Sequence, residues 1–446
     1  MDSEVGDFPA GASGQETDVD RRMALAQEWD RLVDEARELK GFEDFLLPPA
    51  LDSLRSAAAD GPVAVVNISR WRCDALLMTA TGDPRSVPLP DLSETEVVTK
   101  VNEYLGAVQR FEARQVRVHV LKQLIHAGDG KAAAHQELFV ATREFIDAKT
   151  SMERTLCSVL EWLWDSVTEP VLNALGFTNA VDDRADAPRM WWCPTGPLTL
   201  LPLHAAGYHG PSNGGRAVID RVVSSYTPTL RALVEARGAR HDATRGERTG
   251  RMLTVAVPDP PGQPRLPNAE RELRLLEQLF PGDRGTFLTG AAATRERVLD
   301  ELRRHRWVHF VCHGDQNLRD PSGGGLLLAD GDRLTVTDLG RGEHRGEFAC
   351  LSACKTATGG VTLPDEVITL AAALHFTGYR HVIATLWSVY DPTAAEITTR
   401  LYERLTDSGT FDPDGAAHAL HQAVRDLRER HPEHPSVWIP FTHTGP

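Results

Sequence analysis

Apolar residues follow two rhythms along this chain, and the switches between them predict its elements. From Asp20 to Lys40 the spacing of Leu25, Trp29, Leu32, Val33, Ala36 and Leu39 predicts an amphipathic helix ended by Gly41, with Pro48-Pro49 soon after. Val63-Ala64-Val65-Val66-Asn67 and Asp74-Ala75-Leu76-Leu77-Met78 predict two strands flanking the turn-like Ser69-Arg70-Trp71-Arg72. Residues 94–126 and 132–176 carry the helical period, after which Met190 to Cys193 and Leu198 to Leu203 return to strand character. The stretch from Ala236 to Arg251 is polar and nearly free of large apolar residues, which marks a domain boundary. Beyond it, strands are predicted at 252–257, 286–288, 307–312, 326–328, 348–351 and 381–385, with helices at 268–280, 294–304 and 365–376. Such alternation implies an α/β fold with a mostly parallel sheet covered by helices on both faces. The expected division is an acidic arm and helix over 1–60, a first α/β segment over 61–245 and a second over 246–446.

Composition adds limits. The chain has 446 residues, 41% hydrophobic and 25% charged, enough for two domains with proper cores. Of the net charge of −15, residues 1–50 hold −8, from 13 acidic and 5 basic residues. An acidic chain without a basic, aromatic-interleaved stripe repels phosphate backbones, so nucleic acid is not an expected partner. The apolar runs fall short of the roughly 20 residues of a membrane span, so no membrane partner is expected. Six cysteines at 73, 157, 193, 312, 350 and 354 show no paired spacing, and a reducing cytoplasm fits them best. No metal or other cofactor is expected: there is no Cys-x-x-Cys, and the irregular tail histidines His418, His421, His431, His434 and His443 read as solvated.

The chemistry gathers between Trp307 and Gly360. The run Trp307 to Val311 leads into Cys312-His313-Gly314, and the run Phe348 to Leu351 leads into Ser352-Ala353-Cys354. In open parallel sheets the ligand crevice lies outside the carboxyl ends of the strands, so His313 and Cys354, 41 residues apart, face one another if their strands are neighbours. Cys312 and Cys350 lie inside the apolar runs and read as core thiols, whereas Cys354 lies past its run, beside Lys355 and Thr356. That pair suggests a cysteine nucleophile with a histidine base.

These residues resemble the CHAT domain, a caspase-like cysteine peptidase family often joined to TPR repeats and related to caspases and separase. His309-Phe310-Val311-Cys312-His313-Gly314 is similar to the family's catalytic histidine motif, and Leu351-Ser352-Ala353-Cys354-Lys355-Thr356 to its nucleophile motif. Further likeness lies in Trp192 to Leu198, Pro202 to Gly207, Ala384 to Val389 followed by Asp391, Arg72 to Leu76 and Val87 to Pro90, and so extends over roughly residues 60–446. The resemblance implies a caspase-like α/β sandwich, with a pseudo-caspase half over 61–245 and a catalytic half over 246–446. It implies a bacterial-type cytoplasmic cysteine endopeptidase of protein substrates in defence or cell death, regulated by a partner or activating signal. No TPR array is visible, so either a TPR-containing or other regulatory protein supplies recognition, or the chain is cut from a longer one.

By that likeness Cys354 attacks the scissile carbonyl while His313 takes its proton and later protonates the leaving amine. Backbone N–H groups of Gly314 and Cys354 are the oxyanion-hole candidates. Asp391, Asp365 and Glu366 are S1 candidates that favour a basic P1 residue. Asp391 is expected to be the main S1 acid; Asp365 and Asp391 also read as caps of helices starting at Val367 and Thr393. His309 reads as packed or supporting rather than chemical, and Asp315 either orients His313 or forms a turn. The alternative is a caspase-like scaffold with little peptidase activity.

Overall fold

The computed structural model describes residues 18–446 except 41, 44, 127–131, 182–186, 211–213, 243–248, 261–262, 264, 316–322, 343–345, 354–355, 358–368, 388 and 390. The chain forms two compact units, Met1–Leu54 and Arg55–Pro446. The first contains α1 (Asp18–Arg37) and α2 (Leu51–Leu54). Leu25, Trp29 and Leu32 of α1 are exposed and Val33 is buried.

The second unit starts with β1 (Val63–Asn67), β2 (Asp74–Met78) and β3 (Arg85–Pro88), then α3 (Glu94–Leu124), α4 (Ala132–Leu163) and α5 (Glu169–Leu175). The Ser93 side chain caps α3 by accepting from the Glu96 N–H, and α5 stops at Gly176, whose φ of 84° suits glycine. Next come β4 (Arg189–Pro194), α6 (Val218–Arg221), β5 (Val223–Tyr226) and α7 (Leu230–Asp242). The remainder holds β6 (Thr249–Ala256), α8 (Ala269–Leu279), β7 (Gly285–Thr289), α9 (Arg295–Leu302), β8 (His305–Val311), β9 (Gly314–Asp315), β10 (Gly325–Leu327) and β11 (Arg333–Thr335). It closes with α10 (Val336–Gly340), β12 (Phe348–Ser352), α11 (Leu370–Phe376), β13 (His381–Thr385), α12 (Asp391–Leu405), α13 (Ala416–Arg430) and β14 (Phe441–Thr444).

Eleven strands form one sheet in the order β3-β2-β1-β4-β5-β14-β13-β12-β8-β6-β7. It is parallel except at β2, β3 and the β13–β14 pair. Alternation along the strands sends Trp307, Phe348, Cys350 and Ile383 into one apolar layer with α8, α12 and α13, and Val308, Ala349, Leu351 and Val382 into a second with α9, α10 and α11. Phe280, Trp307, Phe348, Tyr402 and Phe411 pack ring to ring in the first layer, pinning α12 to β8 and β12.

Three sequence expectations are corrected. Leu198 to Leu203 is not a strand but part of two 3-10 turns, Gly196–Leu200 and Leu203–Ala205: Gly196 has φ 58°, Pro197 starts the first turn, and Pro202 offers no N–H to a sheet. The strand at 326–328 lies outside the main sheet, since β10 pairs antiparallel with β9 and β11 in a separate three-stranded sheet. The tail histidines are not uniformly solvated: His421 and His443 are buried, because α13 packs in the core and β14 lies mid-sheet.

The two halves of the large sheet meet at β5 and β14, where the backbone register is a single pair, Thr444 with Tyr226. Side chains reinforce this seam. Arg189 donates to Ser225 Oγ at 2.7 Å, Ser225 Oγ lies 2.8 Å from His443 Nδ1, His443 Nε2 lies 3.1 Å from His381 Nδ1, and His381 Nε2 lies 3.2 Å from Asp414. Every contact is satisfied when both imidazoles are neutral and each Nε2–H donates toward Asp414. A proton added at His381 would set two N–H groups against each other. Burial pushes the pKa of both rings down; at His381 the bond to Asp414 opposes the fall while Arg380 and Arg189 add to it, and at His443 the neighbouring charges lower it further. Arg428 also pairs with Asp220 across the unit, at 2.6 Å.

Candidate active site

The strands whose ends carry the candidate chemistry are hydrogen-bonded neighbours. β8 and β12 run parallel, and Val311, the last residue of β8, is in register with Ser352, the last of β12. His313 follows its paired position by two residues and is half-buried. Its carbonyl accepts from the Leu327 N–H at 2.8 Å, and Gly314 pairs with Leu326, so the small sheet grips the backbone just beyond β8.

Cys354 likewise comes two residues after Ser352 in the sequence, but it lies outside the described residues, as do Asp365 and Glu366. Asp391 opens α12, and its side chain and that of Asp315 are outside what is described. The segment around Cys354 is anchored on both sides. The Ala353 carbonyl accepts from Thr385 Oγ1 at 2.7 Å, Thr356 Oγ1 accepts from the Thr385 N–H at 3.0 Å, and the Ala357 N–H donates to the Thr385 carbonyl at 2.8 Å. The end of β12 is therefore stitched to the end of β13. Downstream, α11 starts at Leu370 and its N-cap is Thr369, which accepts from the Ala372 N–H. This removes the expectation that Asp365 caps a helix from Val367.

Beneath the strand ends lies a buried polar cluster that the sequence did not single out. Glu272 of α8 is 2% exposed; Ser352 Oγ donates to its Oε1 at 3.0 Å, Thr398 Oγ1 donates to its Oε2 at 3.0 Å, and His309 Nε2 lies 3.2 Å from the same Oε2. His309 Nδ1 in turn lies 3.0 Å from the Tyr402 hydroxyl. His309 is thus wholly buried and packed, with both ring nitrogens occupied. The signal was present: Ala269, Glu272 and Leu276 sit at i, i+3 and i+7, which puts a carboxylate on the buried stripe of α8. Glu272, His313, Ser352, Ala353 and Thr385 line one small cavity of about 30 Å³. Burial, and then the Glu272 charge, push the Cys350 thiol well above its ordinary range, so this cysteine is inert as a nucleophile. Among the described residues no group of three or more His, Cys, Asp or Glu side chains is arranged to hold a metal ion.

A large, mostly parallel sheet flanked by helices, with a histidine just past the end of one central strand, defines a caspase-like α/β fold. The family model of the CHAT domain matches residues 158–446, more than half of the chain and a narrower span than the likeness drawn from the motifs. This chain belongs to the CHAT domain family, caspase-like cysteine peptidases by domain and fold. Two solved structures of one complex agree on the fold. The separase of Saccharomyces cerevisiae, in complex with securin, is similar with a TM-score of 0.59 at 10% identity over 96% of this chain and 33% of that one. A second structure of that complex gives 0.53 at 11% identity, over 88% and 30%. The chain spans about a third of the length of the separase it matches. The Arg-specific cysteine proteinase gingipain R gives 0.36 at 15% identity over 51% of this chain and 55% of that one. No curated protein matches the sequence.

Proposed function

We propose that this chain is a cysteine endopeptidase that hydrolyses peptide bonds of a protein substrate through Cys354 and His313. The observation that carries the reading is the register of β8 with β12: the two residues each follow, by two positions, paired strand ends on neighbouring parallel strands. His313 removes the thiol proton, the Cys354 sulfur attacks the scissile carbonyl, and the tetrahedral oxyanion is held by the N–H groups of Gly314 and Cys354. Collapse expels the amine, protonated by His313, and water hydrolyses the thioester by the same steps in reverse order of proton flow. Asp391, with Asp365 and Glu366, supplies the S1 carboxylates, and a regulatory partner, TPR-containing or other, controls access.

The test is cleavage of a diverse peptide library, mapped by mass spectrometry, by the native chain and by Cys354→Ala and His313→Ala, with and without candidate partners. Activity in the native chain should fall by about 1000-fold or more in both variants. Equal cleavage by all three would exclude these residues as the chemistry; no cleavage by any would leave either a zymogen awaiting its activator or the scaffold reading, which a thiol-reactive probe on Cys354 separates.

A further inference from the structure

We infer that Glu272 is a positioning residue for this chemistry, setting the ends of β8 and β12 against each other from below; the inference rests on the peptidase reading above. A carboxylate taken out of water costs several kcal/mol, and apolar residues of similar volume often hold a core as well, so an ionisable side chain in this layer asks for a geometric reason. Its bonds provide one. One oxygen accepts from Ser352, the last residue of β12 and two before Cys354; the other meets His309 of β8, four before His313, and Thr398 of α12. One carboxylate therefore ties the last residue of β12, and β8 two residues before its end, to α8 and α12. The Tyr402 hydroxyl fixes the other His309 nitrogen, so the imidazole cannot turn away without breaking two contacts. Misplacement of reacting groups by about 1 Å can cost about 100-fold in rate, so this tie acts on turnover rather than on affinity.

A merely structural carboxylate predicts something different, and the full-length chain separates the two. Ser352→Ala removes one hydroxyl and little volume. Ser225→Ala is its matched control, a buried strand hydroxyl bonded at the distant seam. Ser352→Thr retains the hydroxyl, and Glu272→Gln retains the shape while losing an acceptor. Three quantities are read: the urea midpoint, kcat and KM on the best library peptide, and the rate and pH profile of Cys354 alkylation by iodoacetamide. Ser352→Ala and Glu272→Gln should lower kcat by about 10- to 100-fold with KM within about twofold, and slow Cys354 alkylation at neutral pH. Ser352→Thr should return most of kcat, and Ser225→Ala should lose stability comparable to Ser352→Ala with kcat intact.

If kcat tracks the urea midpoint in all variants, or Ser352→Ala is kinetically native, Glu272 does not position the chemistry. If native Cys354 alkylates as slowly as an ordinary thiol, with a profile centred near about 8.5, and the native chain cleaves nothing, the peptidase reading fails and takes this inference with it. A reactive native Cys354 unaffected by Glu272→Gln removes the positioning role alone.

Discussion

Asp391 carries the sharpest prediction for a single side chain. It opens α12, directly after the segment that includes Trp387 and Val389, and Val389 shares the small cavity with His313. As an S1 acid it pairs with a basic P1 side chain, and loss of one partner of a desolvated charge pair costs about 2 kcal/mol or more. Asp391→Ala should therefore reduce kcat/KM for Lys or Arg at P1 by about 30-fold or more while leaving peptides with neutral P1 near native rates. An enzyme that kept its full preference for basic P1 would leave Asp391 as an acid in the first turn of α12, which begins at Asp391 rather than at the expected Thr393. At this scale the sequence pointed to His313 and Cys354, because strand-end positions and turn residues are local properties. Glu272 went unread although its place on the apolar stripe of α8 was visible, because nothing local in the sequence names the partners that would satisfy a buried carboxylate. Here those partners come from residues 309, 352 and 398, separated along the chain and joined only by folding.

Among the elements, α11 offers a test of how the segment after Cys354 is fixed. Thr369 caps this helix and is buried, while Asp365 was the residue its sequence position suggested. Thr369→Ala should lower stability in urea by about 1 kcal/mol and Thr369→Ser should recover it, whereas Asp365→Ala should stay within about 0.5 kcal/mol of native. The reverse ranking would return the cap to Asp365. Elements with a sustained rhythm were readable beforehand: β1 and β2 fall on the predicted residues, and α8, α9 and β8 lie within a residue or two of theirs. Misreadings have physical causes. Leu198 to Leu203 has strand composition, but Pro202 within it and the left-handed Gly196 and Pro197 just before it forbid the ladder. Four-residue strands such as Val223–Tyr226 and Phe441–Thr444 mix Ser, Thr, His and aromatics, and their burial comes entirely from neighbours distant in sequence.

Across the whole molecule, buried histidines should make the fold acid-sensitive. Burial pushes His204, His209 and His375 down to about 4, and lowers His381 and His443 as well. A base whose folded pKa lies below its unfolded value near 6.5 contributes stability that is fully present above 6.5 and is lost as pH falls toward the folded pKa. Three rings held near 4 lose of the order of 3 kcal/mol each by pH 4, which together approaches the whole stability of an ordinary domain. The urea midpoint should thus be level from pH 8 to 7 and fall steeply from pH 6.5 to 4; a midpoint unchanged at pH 5 would contradict the buried neutral rings. The seam has another consequence, in the order of assembly. Among the described residues β14 follows the other strands of its sheet in sequence yet lies sixth of eleven across it. During synthesis the other ten described strands of this sheet precede the one that joins the halves, so β5 and β13 wait as two open edges, the form of sheet most prone to pair with a neighbouring chain. The slow, vulnerable moment in the life of this protein is set by when Phe441 to Thr444 arrive, rather than by the formation of either half.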